Sequence, residues 1–177
     1  VLHVVDVENR KGDKYELDIE GVFSASWSPK GNEIAYVGQS GNSSDIYIFD
    51  LKSQTSRKIT DDIFSDAYPT WSGDGKNIAF VSDRGNKISG EYDGFMYEHD
   101  YSQTDIYSIN VETKKIHRIT KTDYNESHPV WSKTSDNIFY TSDHNGVWNL
   151  YRHPISESED SEPIPVTNVL TGLQQPT

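Results

Sequence analysis

The sequence contains no cysteine, which excludes disulfide bridges and thiolate metal sites and leaves both reducing and oxidising compartments open. Long apolar runs are absent too: nothing approaches the roughly 18–20 consecutive apolar residues of a membrane span. No signal-peptide pattern opens the sequence, and a first residue of Val rather than Met is expected where preceding residues have been removed. Positive charge is scarce, with 16 Lys and Arg against 28 Asp and Glu, a net charge of −12. A phosphate backbone would be repelled, so nucleic acid is excluded as a ligand in favour of proteins, glycans or cations. Hydrophobic residues make up only 33%, below the roughly 45–50% of ordinary domains, a tally that also counts Gly. The 12% of aromatic residues argues against disorder and for a thin, aromatic-rich core of stacked sheets.

What is present is one unit written three times. "ASWSPKGNEIAYVGQ" is followed by "SDIYIFDLKSQTSRKIT", "PTWSGDGKNIAFVSD" by "TDIYSINVETKKIHRIT", and "PVWSKTSDNIFYTSD" by "WNLYRHPISESEDSEPIPVT". Trp27 to Asp45 and Trp131 to Asn149 each span 18 residues, whereas Trp71 to Asp105 spans 34. The second copy therefore carries an insertion, placed at Asn86–Tyr101.

Each copy divides into four short strands, A to D. Strand A carries Trp27, Trp71 or Trp131. A tight turn follows, supplied with Gly and Asx-type residues in the first two copies and replaced by "SKTSDN" in the third. Strand B alternates with both faces apolar, as in Ile78 and Phe80 against Ala79 and Val81, which is expected of a sheet packed on two sides. Strand C begins at Asp45, Asp105 or Asn149. Strand D, over Ser56–Thr60 and Ile116–Thr120, is short and charged, suiting an outer edge that must not recruit other sheets. The ends complete no repeat: Val1–Glu20 reads as strands C and D alone, and Pro176-Thr177 aligns with Pro69-Thr70.

The stretches "WSPKGNEIAYV" and "WSGDGKNIAFVSDRG", with the "DIY" strands, resemble the WD40-like (PD40) repeat of TolB-type and tricorn-like propellers. The resemblance covers the chain apart from the insertion. It implies an all-β fold, a β-propeller segment of about three and a half four-stranded antiparallel blades of a larger ring. The expected division is a half blade at 1–20, blades at 21–64, 65–124 and 125–170, and the start of another at 171–177. It also implies a bacterial envelope or secreted protein used for protein–protein contact. Such a segment is expected to self-associate or to need the remaining blades of a parent chain, because two apolar flanks stay open.

Repetition governs how the remaining residues are read. Trp27, Trp71 and Trp131 hold one register and read as inter-blade core; Trp148 lies outside it. Asp83 and Asp143 end strand B and are expected to cap backbone NH groups of the following loop, with Thr60, Thr120 and Thr167 in similar roles. The six histidines show no HExxH spacing, and no nucleophile elbow, Walker loop or dinucleotide fingerprint occurs. No catalytic residue, metal site or cofactor is assigned.

The insertion interleaves Tyr92, Phe95, Met96, Tyr97 and Tyr101 with Glu91, Asp93, Glu98, His99 and Asp100. It either packs on its own blade, contacts a partner, or holds a hard cation. Loops B–C and D–A of a propeller leave the ring on one face, so the insertion is expected to overhang Asp61–Tyr68 and Tyr124–His128. That face carries Asp61, Asp62, Asp66, Asp93, Glu98, Asp100, Asp123 and Glu126, and is expected to be acidic and aromatic together. The candidate binding residues are Tyr92, Phe95, Tyr97, Asp93, Glu98 and His99, joined by Tyr68 and His128, which precede the Pro of strand A. The leading expectation is a non-catalytic interaction module with a protein partner. The alternatives are a regulatory propeller of a serine peptidase and part of a propeller sugar lyase.

Overall fold

The computed structural model describes residues 1–88 and 98–173. A two-stranded antiparallel sheet, β1 (Leu2–Asp6) and β2 (Lys11–Tyr15), precedes three four-stranded sheets. The first comprises β3 (Gly21–Trp27), β4 (Glu33–Ser40), β5 (Ser43–Asp50) and β6 (Thr55–Lys58). The second comprises β7 (Asp66–Trp71), β8 (Asn77–Ser82), β9 (Asp105–Asn110) and β10 (Ile116–Arg118). The third comprises β11 (Glu126–Trp131), β12 (Asn137–Ser142), β13 (Asn149–Pro154) and β14 (Ile164–Pro165). Each is a meander in which sequence neighbours pair antiparallel, and no α-helix occurs among the described residues. These are propeller blades.

The double-sided alternation of strand B becomes two interfaces. Ile78 and Phe80 of β8, with Trp71, Tyr107 and Ile109, pack on Ala35, Ile46, Ile48 and Ile59 of the first blade. Ala79 and Val81, with Ile106 and Ile119, pack on Ile138, Tyr140 and Tyr151 of the third. Each fully buried aliphatic or aromatic side chain contributes about 1.5–3 kcal/mol, so the blade boundaries hold most of the core.

The tryptophans show the direction of this packing. Trp71 is 7% exposed in the cluster with the first blade, and Trp131 donates its Nε1–H to the Thr70 carbonyl at 3.1 Å. Each indole leans on the sheet before it. Trp27 departs from the expected core role and is 51% exposed, because the preceding β1 and β2 leave it uncovered.

Turn chemistry repeats more faithfully than turn sequence. Ser28, Ser72 and Ser132 each accept a backbone NH through Oγ, from Glu33, Asn77 and Asn137. Four residues after each Trp stands a left-handed residue: Gly31 at φ 69°, Gly75 at 71°, and Ser135 at 59°. The third copy thus keeps the turn without its glycine, and hydrogen bonds from Ser132 and Thr134 hold Asp136 far below the usual carboxylate range. At the C–D turns Asp6, Asp50 and Asn110 accept the NH groups of Asn9, Ser53 and Thr113. Arg10, Gln54 and Lys114, four residues after those acceptors, take positive φ, so the turn between β1 and β2 has the geometry of the C–D turns.

Candidate functional site

Two devices close the blades where their loops gather, the first in all three and the second in the second and third. In the first, a Thr two residues past strand D accepts a backbone NH from strand C: Thr60 from Ile46 at 2.9 Å, Thr120 from Ile106 at 2.9 Å, Thr167 from Leu150 at 3.0 Å. Beside it stands the buried first residue of the "DIY" strand. Asp45 pairs with Lys58 at 2.9 Å and Asp105 with Arg118 at 2.6 Å. In the third blade the partner position is Pro165, and the acid is replaced by Asn149, whose Oδ1 accepts from Thr167 Oγ1 and the Val169 NH. Where the cation is lost the buried charge is lost with it, as the cost of burying an unpaired carboxylate demands.

In the second device, Asp83 and Asp143 each accept an NH at 2.9 Å, from Ser65 and Asn125. The repeated Asp does cap backbone, but in the loop before strand A rather than the loop that follows. The reason is pairing: β7 and β11 bring those residues alongside the ends of β8 and β12.

Among the described residues Arg84 is the largest fully buried side chain. Nη1 binds Asp62 at 2.9 Å, Nη2 binds Asp66 at 2.7 Å, and Nε donates to Ser82 Oγ at 3.0 Å. The guanidinium also lies within 6 Å of the Phe64, Phe80 and Tyr107 ring centres. Burial pushes the Asp66 carboxyl up to about 6 even against Arg84. The third blade fills these seats with His144, Thr122 and Glu126. Its His144 ring lies 4.3 Å from Tyr124. Glu126 accepts from Thr122 at 2.5 Å and Thr120 at 3.2 Å. Burial, with Asp105 adding to it, pushes this carboxyl up to about 8.

The expected acidity of the loop end is thereby reduced. Asp66 and Glu126 are wholly buried, Asp62 is bound to Arg84, and Asp61 is paired with Lys58. Acids must find cations or protons when enclosed, and the sequence count could not separate enclosed from solvated ones. Asp100 and Asp123 remain exposed.

Of the candidate binding residues, Tyr92, Asp93, Phe95 and Tyr97 lie outside the described residues. Glu98 is exposed. His99 has a side chain only 8% exposed, 3.3 Å from Asp83, against Phe64 at 5.3 Å and Tyr101 at 4.6 Å between ring centres. It anchors the end of the insertion to the blade. Tyr68 and His128 come together, with ring centres 4.0 Å apart. Both have left-handed backbone, φ 51° and 52°, at the bulges of β7 and β11.

The stems of the insertion reach both neighbouring loops. Arg84 holds Asp62, and Gln103 Nε2 donates to the Thr122 and Tyr124 carbonyls at 3.2 and 2.6 Å. Around them Ile63, Ile88, Tyr101, Tyr124 and Trp148 are exposed. Among the described residues no three His, Asp or Glu side chains are placed to hold a metal ion.

Comparison with known proteins agrees with this architecture. Residues 2–89 match the sequence family described as the TolB beta propeller domain. TolB from Acinetobacter baumannii has a similar structure, at 21% identity and a TM-score of 0.70 over 94% of this chain and 37% of that one. The putative TolB from Agrobacterium tumefaciens is 22% identical, with a TM-score of 0.64 over 78% of this chain and 47% of that one. Pyrococcus horikoshii acylaminoacyl peptidase is 18% identical, with a TM-score of 0.59 over 94% and 27%. The chain thus spans less than half the length of each of these. The repeats, their pairing and these likenesses identify the chain as a member of the TolB-type, PD40 β-propeller repeat family.

Proposed function

We propose that this chain is a non-catalytic interaction module of a bacterial envelope or secreted protein, and that it binds a protein partner at the end of the blades where loops B–C and D–A emerge. One observation carries the reading. Apart from Phe23 and Trp27 of β3, the exposed large apolar side chains of the three four-stranded blades, among the described residues, are Ile63, Tyr68, Ile88, Tyr101, Tyr124, Trp148, Val166 and Leu170, and all stand in or beside those loops. Among the described residues the A–B and C–D turns of the same sheets expose none. Exposed aromatic residues beside a few acids are the composition of an interface core with a polar rim. Tyr92, Phe95 and Tyr97 stand between Ile88 and Tyr101 in the sequence and are expected anchors; the bacterial envelope or secreted placement rests on the family resemblance.

The test is a triple variant, Ile63→Asp, Tyr101→Asp, Tyr124→Asp, compared with the parent chain as bait in native extract, with cross-links mapped on both. The expected result is an intact β spectrum and loss of a partner cross-linked to these loops. A folded triple variant that keeps the same partner places the interface elsewhere.

A second reading is a propeller attached to a serine peptidase, supported by the likeness to the acylaminoacyl peptidase. A hydrolase domain in the parent reading frame decides for it. In either case the flank bearing Trp27, 51% exposed, is expected to drive association with further blades or a second copy. Light scattering of the 177-residue chain checks this by reporting particles heavier than a monomer.

A further inference from the structure

We infer that the cleft between β3 and β7 is a binding site for a neutral saccharide stacked on Tyr68. The argument begins with three equivalent positions. Ser24, Tyr68 and His128 each stand three residues before the Trp of strand A, and each has positive φ, at 26°, 51° and 52°. Each marks the bulge of its strand. Left-handed backbone costs a non-Gly residue about 1–2 kcal/mol. Bulges re-aim side chains, and such strain gathers at sites of function. Glycine, used at the same conformation in the turns at Gly31 and Gly75, is not used at any of these three.

Between the second and third blades two of these seats hold rings, and Tyr68 stacks on His128 at 4.0 Å. Between the first and second blades the seat next to Tyr68 holds Ser24, and a cleft of about 400 Å³ opens there. That volume lies within the roughly 300–1,000 Å³ of small-ligand sites. Tyr68 and Phe23 border it, 39% and 54% exposed. A ligand with a flat apolar face would occupy the place that His128 takes on the other side of Tyr68.

The rest of the lining selects the ligand. Ser24, Asn42, Ser43 and Ser65 line the cleft, and their side chains make no hydrogen bond to any described residue. The lone acidic or basic side chain of the lining other than the Tyr68 phenol, Asp66, is fully buried and paired with Arg84. In a chain of net charge −12 this is a neutral cleft, with aromatic walls and hydroxyl and amide groups that donate and accept. Charged ligands find no counter-ion there. A hexose offers the matching surface, a C–H face for the rings and hydroxyls around its edge.

The experiment titrates the folded 177-residue chain with maltohexaose, cellohexaose and N-acetylchitohexaose, and with a neutral Gly-Ser peptide, by calorimetry and saturation-transfer NMR. The expected result is sub-millimolar binding of at least one hexasaccharide, weakened about tenfold or more by Tyr68→Ala and by Phe23→Ala, and abolished by Ser24→Tyr, which fills the empty seat with a ring the fold already carries at residue 68. Circular dichroism establishes that each variant is folded, and Tyr68→Ala carries the test if Ser24→Tyr is not. Failure of all three saccharides to bind overturns the assignment. So does binding indifferent to the folded variants, or preference for the peptide with the same dependence on Tyr68, which makes the cleft a peptide site.

Discussion

Arg84 Nη2 stands 2.7 Å from Asp66 Oδ1, and neither side chain has any exposure to solvent. A buried pair of this kind adds little net stability over an apolar replacement, yet removing one partner alone is costly, about 3–5 kcal/mol. Arg84→Ala also strands Asp62, its second carboxylate. The expected outcome is destabilisation of that size in urea unfolding, larger than for any exposed Lys-to-Ala change in the chain. A loss under about 1 kcal/mol would show that water or rearrangement replaces the guanidinium.

The counterpart in the third blade predicts a pH dependence. Burial pushes Glu126 up to about 8, above the ordinary glutamate value near 4.3, so the folded chain holds its proton more tightly than the unfolded chain does. Stability from this group is fully present below the ordinary value and is lost as pH rises towards 8, with a slope of up to roughly 1.4 kcal/mol per pH unit. Asp66 acts in the same sense over a lower window ending near 6. Glu126→Gln removes the titrating group while leaving an oxygen for a Thr hydroxyl. Melting temperatures measured from pH 5 to 8 are expected to fall more steeply for the parent chain than for the variant.

The exchange of Asp105 with Arg118 for Asn149 with Pro165 predicts a non-additive pair. Arg118→Met alone leaves Asp105, 1% exposed, without its cation. Adding Asp105→Asn recreates the neutral arrangement of the third blade and is expected to recover most of the loss. A coupling of about 1–3 kcal/mol from a double-mutant cycle in urea fits this picture; simple additivity would contradict it.

The tryptophans predict a ranking. Trp71→Ala removes a buried indole from the boundary between blades and is expected to cost about 3–5 kcal/mol. Trp27→Ala, made at a half-exposed position, is expected to cost less than half of that in the 177-residue chain. Thermal unfolding of the two variants side by side measures the difference.

Fold was legible because it is written in local periodicities repeated three times: alternation in Ile78–Val81, a turn after each Trp-Ser, and a "DIY" strand. Each repetition constrains the others, so even Ser135 in place of glycine did not obscure its turn. The burial of individual acids was not legible. Asp66 and Asp123 look alike in sequence, yet one is enclosed with Arg84 and the other is solvated, and only the meeting of residues 18 positions apart separates them. A signal did exist: aligning "SDRG" with "SDHN" shows Arg84 exchanging for His144 as Asp62 becomes Thr122 and Asp66 becomes Glu126. The meeting of Tyr68 with His128 is written in the sequence only as a shared register, because the bulge at each position is a property of strand pairing.

The Gly73 NH donates to Ser135 Oγ at 2.9 Å across the blade boundary, and a Cβ on Gly73 would lie 2.9 Å from the Lys133 carbonyl oxygen. At that end of the blades adjacent turns are stitched so closely that a single methyl group has no room. At the other end the second copy already accommodates an insertion. The chain is therefore polarised as an engineering scaffold: foreign peptide or a small guest domain belongs between Lys87 and Glu98, whereas the same graft at Gly73 would pry two blades apart.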